Sequence, residues 1–133
     1  MNEKKYLTIE ETFALAVQNH KKNNLQVAEN LYKKILKTNP KYAGVYYNLG
    51  ITYKELEEYK KAIDCYEKAI QINPSYAQAH NNLGIVFKES QELQKAISCF
   101  QKAIHIQPNY ADAHNNLGLT FKELEEYQKA IRL

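Results

Sequence analysis

Asparagine side chains recur at a constant spacing in this sequence, at Asn48, Asn82 and Asn116. Each is followed by an aliphatic residue and then by a lysine at fixed offsets: Ile51, Ile85 and Leu119, then Lys54, Lys88 and Lys122. An asparagine amide offers one acceptor and two donors, which match the C=O and N–H groups of a peptide backbone. The row therefore predicts a surface that holds an extended chain without reading its side chains. The aliphatic residues would add apolar contact, and the lysines would favour acidic groups or phosphate.

The asparagines belong to a longer pattern that returns about every 34 residues. One copy reads Tyr46-x2-Leu49-Gly50-x2-Tyr53, Ala62-x3-Tyr66 and Pro74; the next reads His80-x2-Leu83-Gly84-x2-Phe87, Ala96-x3-Phe100 and Pro108; a third begins with His114-x2-Leu117-Gly118-x2-Phe121 and Ala130. This pattern resembles that of the tetratricopeptide repeat (TPR) family, whose unit is a helix–turn–helix. The resemblance implies an all-α fold, an α-solenoid of antiparallel helix pairs that winds into a right-handed superhelix.

The resemblance covers nearly all of the chain and predicts a single array over residues 1–133. The repeats are residues 9–42, 43–76, 77–110 and 111–133. The first is divergent, because Thr12 stands where a bulky ring is expected and Asn19 where the second aromatic residue is expected. The last is truncated by the end of the sequence. Terminal repeats are commonly atypical, so the first repeat is interpreted as a start cap or a degenerate repeat.

The second copy shows which elements each repeat should contain. We expect a first helix near residues 44–56 and a second near 60–72, with the turn at Glu57-Glu58. Pro74 should end the second helix, because proline disfavours helix at the residue before it and cannot continue the hydrogen-bond ladder. Ser75 can then cap the next first helix.

Small residues mark the point where the two helices of a repeat should cross closely. Gly50 and Ala62 occupy this crossing, and Tyr53, Tyr66 and Ala69 are predicted to fill the space around it. A single repeat cannot bury this apolar face alone, so several stacked repeats are needed to form a continuous core.

Rotation along each first helix at 100° per residue separates a packing face from an opposite face. The candidate binding residues on the opposite face are Tyr47, Asn48, Ile51, Lys54, Asn81, Asn82, Ile85, Lys88, Asn115, Asn116, Leu119 and Lys122. Periodicity alone shows only that they lie away from the core. In the TPR family this face lines a concave groove that holds an extended peptide, so the resemblance implies a protein or peptide partner there.

The asparagine row is similar to the asparagine ladder in the repeat domain of the protein O-linked N-acetylglucosamine transferases. Segments 77–84 and 110–118 carry the resemblance. The resemblance implies a peptide-binding role for Asn48, Asn82 and Asn116. It does not extend to the first repeat, where Ala14 takes the matching position. An alternative interpretation remains open. The asparagines can be structural, bonding to one another, or they can recur only through duplication of the repeat.

Two further observations limit the kind of partner that we expect. Each lysine of the row is followed by a glutamate, which cancels much of its field and favours a solvated face. Chaperone-binding TPR domains use a carboxylate clamp of lysine, asparagine and arginine residues. The positions that correspond to it are Phe13, Val17, Asn48, Gln78 and Asn82, of which only Asn48 matches. We therefore expect no chaperone-terminus clamp.

Composition excludes several other function classes. A net charge of +3, with basic and acidic residues interleaved, argues against nucleic-acid binding. No apolar run is long enough to span a membrane. We expect no catalytic residue, metal or cofactor, because no nucleophile–base pair, metal-ligand spacing or phosphate loop is visible. Cys65 and Cys99 lie a whole repeat apart, too far for a disulfide, which predicts reduced thiols and a cytoplasmic location.

The end of the sequence raises a separate question. By register, Leu133 falls inside the second helix of the fourth repeat, so Phe121, Ala130 and Ile131 should be partly bare. Exposed apolar patches mark an interface or an aggregation risk. One interpretation makes the chain part of a longer array, such as the substrate-recognition arm of a glycosyltransferase or sulfotransferase. The other makes it a scaffold that forms homo-oligomers through its open end.

Overall fold

The computed structural model describes residues 6–132, which fold into helices joined by short turns. These helices are α1 (Ile9–Lys21), α2 (Leu25–Thr38), α3 (Ala43–Glu55), α4 (Tyr59–Ile72), α5 (Ala77–Glu89), α6 (Leu93–Ile106) and α7 (Ala111–Ile131). No strand occurs among the described residues. The predicted helices near 44–56 and 60–72 begin and end within one residue of α3 and α4.

The helices pack in chain order, as expected of a solenoid. Within repeats, α1 contacts α2, α3 contacts α4, and α5 contacts α6; between repeats, α2 contacts α3, α4 contacts α5, and α6 contacts α7. The first helices also meet directly, since α3 contacts α5 and α5 contacts α7. The predicted all-α solenoid of stacked helix pairs is confirmed, and it places the first helices side by side.

The turn inside each full repeat depends on one residue in the left-handed conformation. Asn23, Glu57 and Gln91 have φ values of 64°, 60° and 63°. In the second repeat the amide of Glu58 donates to the carbonyl of Tyr53 at 2.9 Å, which closes a Schellman motif. A left-handed conformation costs a non-glycine residue about 1–2 kcal/mol. Each turn must therefore be stabilised by the packing of the two helices that it joins.

The connection between repeats differs from the prediction in one detail. Helix α4 ends at Ile72, just before Asn73 and Pro74, as expected. The Oδ1 atom of Asn73 accepts a hydrogen bond from the backbone amide of Ser75, at 3.2 Å. The N-cap of α5 is Tyr76, which makes no side-chain capping bond. The prediction that Ser75 caps this helix was wrong, because its amide closes the Asn73 turn one residue earlier.

The close crossing of paired helices is confirmed by the space around the glycines. A Cβ atom on Gly50 would lie 2.7 Å from the ring of Tyr66, and one on Gly84 would lie 2.6 Å from the ring of Phe100. Ala62 has no exposed surface. Only a residue without a side chain allows these aromatic rings to lie against the first helix.

The fourth repeat departs from the expected helix pair. Helix α7 runs without interruption from Ala111 to Ile131, past the position where the other repeats turn. The expected second helix of the fourth repeat is therefore not separate from the first as far as Ile131, and the expected position of Leu133 lies outside the described residues. A turn at Glu125 would need the left-handed conformation. Residues 126–131 instead continue the helix and do not pack back against Gly118. Accordingly, a Cβ on Gly118 would meet nothing within 4 Å.

Candidate functional site

Two clefts lie along the face formed by the first helices α3, α5 and α7, which we call the first-helix face. The first cleft has a volume of about 400 Å³ and is lined by Ile51, Lys54, Glu55, Glu57, Tyr59, Tyr66, Asn82, Ile85 and Glu89. The second has a volume of about 530 Å³ and is lined by Ile85, Lys88, Glu89, Asn116, Leu119, Lys122, Glu123 and Glu126. Ile85 and Glu89 belong to both, so the clefts are neighbours on one surface.

The asparagine side chains in these clefts are held by hydrogen bonds to the preceding repeat. The Nδ2 atom of Asn82 donates to the hydroxyl of Tyr47 at 3.2 Å. The Nδ2 atom of Asn116 donates to the Oδ1 atom of Asn81 at 3.1 Å. Each of these bonds uses one of the two amide hydrogens. The carbonyl oxygen and the second hydrogen of each amide remain available for another partner.

Asn48 lacks an equivalent link, because the residue one repeat before Tyr47 is Phe13. The Phe13 ring has no hydrogen-bonding atom and stacks on Tyr42, with 5.8 Å between ring centres and 2° between planes. Asn48 itself is half-buried, and its backbone carbonyl accepts a hydrogen bond from the Thr52 hydroxyl at 2.9 Å. Two of the three asparagines in the row are therefore linked to the preceding repeat by a side-chain hydrogen bond.

The partners of the asparagines differ in exposure. Asn81 is 3% exposed, whereas Asn115, beside Asn116 on α7, is exposed. Tyr47 is half-buried and stacks on Tyr76, with 4.9 Å between ring centres. Burial raises the pKa of the Tyr47 hydroxyl, and the hydrogen bond from Asn82 lowers it by less. Asn81 and Tyr47 therefore pack beneath the asparagine row, where they can orient its amides.

The aliphatic residues of the row become more exposed along the chain. Ile51 and Ile85 are partly buried against the core, whereas Leu119 is 46% exposed. Leu119 lies on α7, the last helix among the described residues. The row therefore gives the first cleft a deeper apolar wall than the second.

The charges in the clefts are acidic on balance. Three glutamates and one lysine line the first cleft, giving a formal charge of −2. Three glutamates and two lysines line the second, giving −1. The Nζ atom of Lys54 lies 3.6 Å from the Oε1 atom of Glu89 on the next repeat. The Oε1 atom of Glu55 lies 3.0 Å from the Nε2 atom of His20. The lysines do not make this face positive, as their glutamate neighbours in the sequence suggested.

The sequence did not reveal Tyr66 as a lining residue of the first cleft. Its ring fills the helix crossing as predicted and has no exposed surface, but it also forms part of the cleft wall. No group among residues 6–132 forms a hydrogen bond with its buried hydroxyl. Burial raises the pKa of this hydroxyl, and the Asn82 amide lies near enough to lower it by less. The sequence feature that could have drawn attention to Tyr66 is the aromatic residue at one repeat position, which is Tyr32, Tyr66 and Phe100 in successive repeats.

Two histidines, His80 and His114, make structural contacts with the loops between repeats. The Nε2 atom of His80 lies 3.0 Å from the carbonyl oxygen of Pro74, and that of His114 lies 2.7 Å from the carbonyl oxygen of Pro108. Burial lowers the pKa of His80, and the hydrogen bond to Pro74 raises it by less. Both repeat contacts tie a first helix to the loop before it.

The thiols are free, as predicted from their separation, and burial raises the pKa of both Cys65 and Cys99 to about 12. Such thiols are protonated and unreactive at neutral pH. Cys99 lines a cavity of about 650 Å³ between α4, α5 and α6, larger than either cleft of the first-helix face.

Within residues 6–132 no three His, Cys, Asp or Glu side chains gather as a metal site would require. None of the helices there is long and apolar enough to cross a membrane.

Three family models match the sequence. Two models described as tetratricopeptide repeat match residues 43–76 and 65–98, and one described as TPR repeat matches residues 86–125. Together the matches span residues 43–125, which is more than half of the chain. No curated protein sequence matches the chain significantly.

Solved structures share the fold. A crystal structure of MamA is 28% identical with a TM-score of 0.85, and the match covers 94% of this chain and 73% of that chain. The Sgt2 TPR domain from Aspergillus fumigatus is 20% identical with a TM-score of 0.86, covering 91% and 82%. The first TPR domain of Spaghetti (RPAP3), solved with an HSP90 peptide, SRMEEVD, is 20% identical with a TM-score of 0.85, covering 88% and 93%. The family matches, the repeated helix pairs and these structures agree: the chain belongs to the tetratricopeptide repeat family.

Proposed function

We propose that the chain binds an extended segment of a partner protein along its first-helix face. One observation carries this proposal. Asn82 and Asn116 stand at the same position of successive repeats, each with its amide fixed by a bond to the repeat before. Each keeps a carbonyl oxygen and one N–H group, the pair that a peptide backbone can meet. A fixed amide loses little side-chain entropy on binding, which favours affinity.

The predicted residues take different roles in this proposal. Asn48, Asn82 and Asn116 contact the backbone of the segment, while Tyr47 and Asn81 hold the amides from below. Apolar contact comes from Ile51, Ile85 and Leu119; Lys54, Lys88, Lys122 and Asn115 form the polar edge. The similarity of the row to the asparagine ladder of the O-linked N-acetylglucosamine transferases supports a backbone-directed mode. This mode reads the shape of an extended chain more than its sequence.

The kind of segment differs from the one that the RPAP3 domain holds. Its HSP90 peptide, SRMEEVD, is acidic towards its C-terminus. Here the clefts carry formal charges of −2 and −1, and Phe13 stands where a clamp would need a cation. Repulsion between carboxylates disfavours an acidic segment, so the lysines of the row do not select one.

The expected affinity is modest. One net hydrogen bond contributes about 1 kcal/mol, so three asparagines with one or two bonds each contribute a few kcal/mol. Apolar contact adds to this, and the cost of ordering the segment subtracts from it. We expect micromolar binding, about −8 kcal/mol in total.

Selection from a random peptide library, displayed on phage and passed over the immobilised chain, tests the proposal. Enriched peptides are then synthesised with a fluorophore and titrated by fluorescence anisotropy. Replacing Asn48, Asn82 and Asn116 together by alanine should weaken binding at least about tenfold and leave helicity nearly unchanged. The matched control replaces the exposed Asn30 and Asn109, which lie outside both clefts. Failure to enrich any peptide, or equal affinity of the triple variant, would refute the proposal.

A second function is favoured by a separate observation on α7. Phe121, Tyr127 and Ile131 are 46%, 58% and 73% exposed, and they lie within about 120° of one another around the helix. This apolar stripe is suited to self-association, in which α7 of one copy packs on another copy of the chain. The array would then act as a scaffold as well as a peptide receptor.

Light scattering decides between a monomer and an assembly. Under the scaffold hypothesis the mass should rise with concentration, and the Ile131→Glu variant should stay monomeric. A control variant with a charge at an exposed position away from the stripe, Asn109→Glu, should associate like the wild type. A constant monomer mass over about a hundredfold range of concentration would exclude self-association at these concentrations.

A further inference from the structure

The first cleft contains a polar group that the asparagine row does not account for. Tyr66 lines the cleft, and its buried hydroxyl makes no hydrogen bond with any group in residues 6–132, although the Asn82 amide lies nearby. The ring cannot withdraw towards α3, because it already lies at the distance where a Cβ of Gly50 would clash. A buried hydroxyl without a partner is destabilising, and native proteins seldom keep one without a reason. An occupant of the cleft can supply the missing bond.

The charges around this hydroxyl specify the occupant. Of the three glutamates that line the cleft, Glu89 is the one paired with Lys54. Glu55 contacts His20, which carries a charge only when protonated, and Glu57 is exposed at the turn between α3 and α4. The cleft thus has an excess of negative charge, and a cation entering it replaces repulsion between carboxylates with attraction.

The walls of the cleft suit a long side chain. Ile51 and Ile85 face it from neighbouring first helices and are partly buried. Lysine and arginine bury apolar stems along such surfaces while their charged heads reach polar partners. The cleft of about 400 Å³ has room for one such side chain.

We propose that the first cleft receives a lysine or arginine side chain of the bound segment. The stem lies between Ile51 and Ile85. The head donates hydrogen bonds to the Tyr66 oxygen, to the free carbonyl oxygen of Asn82 and to the carboxylate of Glu55. Lysine carries three donors and arginine five, enough for all three acceptors. This assignment rests on the proposed binding of an extended segment to the first-helix face and names the side chain that this segment carries.

The second cleft provides an internal comparison. The residue that corresponds to Tyr66 in the next repeat is Phe100, which has no hydroxyl. Two lysines, Lys88 and Lys122, line this cleft, and its formal charge is closer to zero. Leu119 takes the place in the second cleft that Ile85 has in the first, and it is 46% exposed. A basic side chain therefore finds its partners in the first cleft and fewer of them in the second, so the segment binds in one register.

The peptides selected from the random library test this assignment first. Peptides that bind the wild-type chain should share a lysine or arginine at one position. Replacing that residue by norleucine, which keeps the stem and removes the charge, should weaken binding about tenfold. The Tyr66→Phe variant should bind the basic peptide about fivefold more weakly and the norleucine peptide with unchanged affinity.

Tyr32→Phe is the matched control. Tyr32 occupies the same repeat position, is also fully buried and also lacks a hydrogen-bond partner, but it lines neither cleft. Both phenylalanine variants should unfold at the same temperature as the wild type or higher, because each loses an unsatisfied buried hydroxyl. Only Tyr66→Phe should change binding. This separates a contact with the ligand from a general effect on the fold.

The outcomes distinguish the two proposals. If no peptide is enriched, the proposed function fails. Enrichment of peptides without a basic residue, or with acidic ones, leaves segment binding intact and overturns the assignment of the cleft. Equal affinity of wild type and Tyr66→Phe for the basic peptide would remove Tyr66 from the site. Loss of affinity for both peptides alike would show that the variant disturbs the groove and would also overturn the assignment.

Discussion

The Nδ2 atom of Asn116 donates a hydrogen bond to the Oδ1 atom of Asn81 at 3.1 Å, across the interface between the third and fourth repeats. One interface earlier, Asn82 makes the equivalent bond, at 3.2 Å, to the hydroxyl of Tyr47. The acceptor changes from a phenol to an amide, yet the bond joins the same two repeat positions. The array thus maintains the orientation of the donor asparagine rather than the identity of its partner. A structural role and a binding role for the row are therefore compatible.

This relationship predicts that Asn81 acts on a ligand through Asn116. Asn81→Ala removes the acceptor and frees the Asn116 amide to rotate, so peptide affinity should fall about fivefold. In the Asn116→Ala background the same change should cost little more. The double-mutant cycle, measured by fluorescence anisotropy with a selected peptide, gives the coupling energy directly. Additive losses would mean that Asn81 acts independently of Asn116.

The glycines at equivalent repeat positions should respond in opposite ways to alanine. In Gly84→Ala the new Cβ would lie 2.6 Å from the Phe100 ring, so packing must shift. Overpacking of this kind costs about 1–3 kcal/mol. Gly118→Ala meets nothing within 4 Å and gains helix propensity, which stabilises α7 by up to about 1 kcal/mol. Urea unfolding followed by circular dichroism measures both. A similar destabilisation by both changes would contradict the open space beside Gly118.

A buried carboxylate in the second helix of the first repeat should make stability depend on pH. Glu29 is 6% exposed, and it accepts hydrogen bonds from Tyr53 and Lys33, each at 2.8 Å. Burial alone would raise its pKa, but its hydrogen bonds and the charge of Lys33 outweigh this and hold the pKa below its ordinary value. A lowered pKa in the folded state stabilises the protein at neutral pH. That contribution disappears as the pH falls through the lowered pKa.

Glu29→Gln isolates this contribution. The variant keeps an acceptor for Tyr53 and loses the charge, so at pH 7 it should be about 1 kcal/mol less stable than the wild type. The difference should shrink as the pH falls and vanish once Glu29 is protonated. Glu125→Gln is the control, because Glu125 pairs with Lys129 on the exposed part of α7. A difference between wild type and Glu29→Gln that stays constant from neutral to acidic pH would exclude this account.

Sequence periodicity predicted the elements that repeat and missed those that depend on single contacts. The helix pairs, the glycine crossings and the shared face of the asparagines all follow from residues that recur every repeat. The bond from Asn82 to Tyr47 was not predictable, because it links two side chains whose rotamers are set by packing between repeats. Tyr66 was assigned to packing alone, since a pattern of aromatic residues does not show where a hydroxyl is left without a partner. In the fourth repeat the register implied a separate second helix, whereas α7 continues to Ile131.

The continuous α7 leads to a last prediction about this turn position. Glu57 and Gln91 hold the left-handed conformation because a following helix packs back on the core, and by register Glu125 is their counterpart. Glycine adopts this conformation without the cost of a side chain. Glu125→Gly should therefore let the helix open at this point and raise amide hydrogen exchange in residues 126–131. Glu125→Ala, with the highest helix propensity, should slow exchange there. Unchanged exchange in the glycine variant would show that packing, rather than the conformational cost at position 125, keeps α7 continuous.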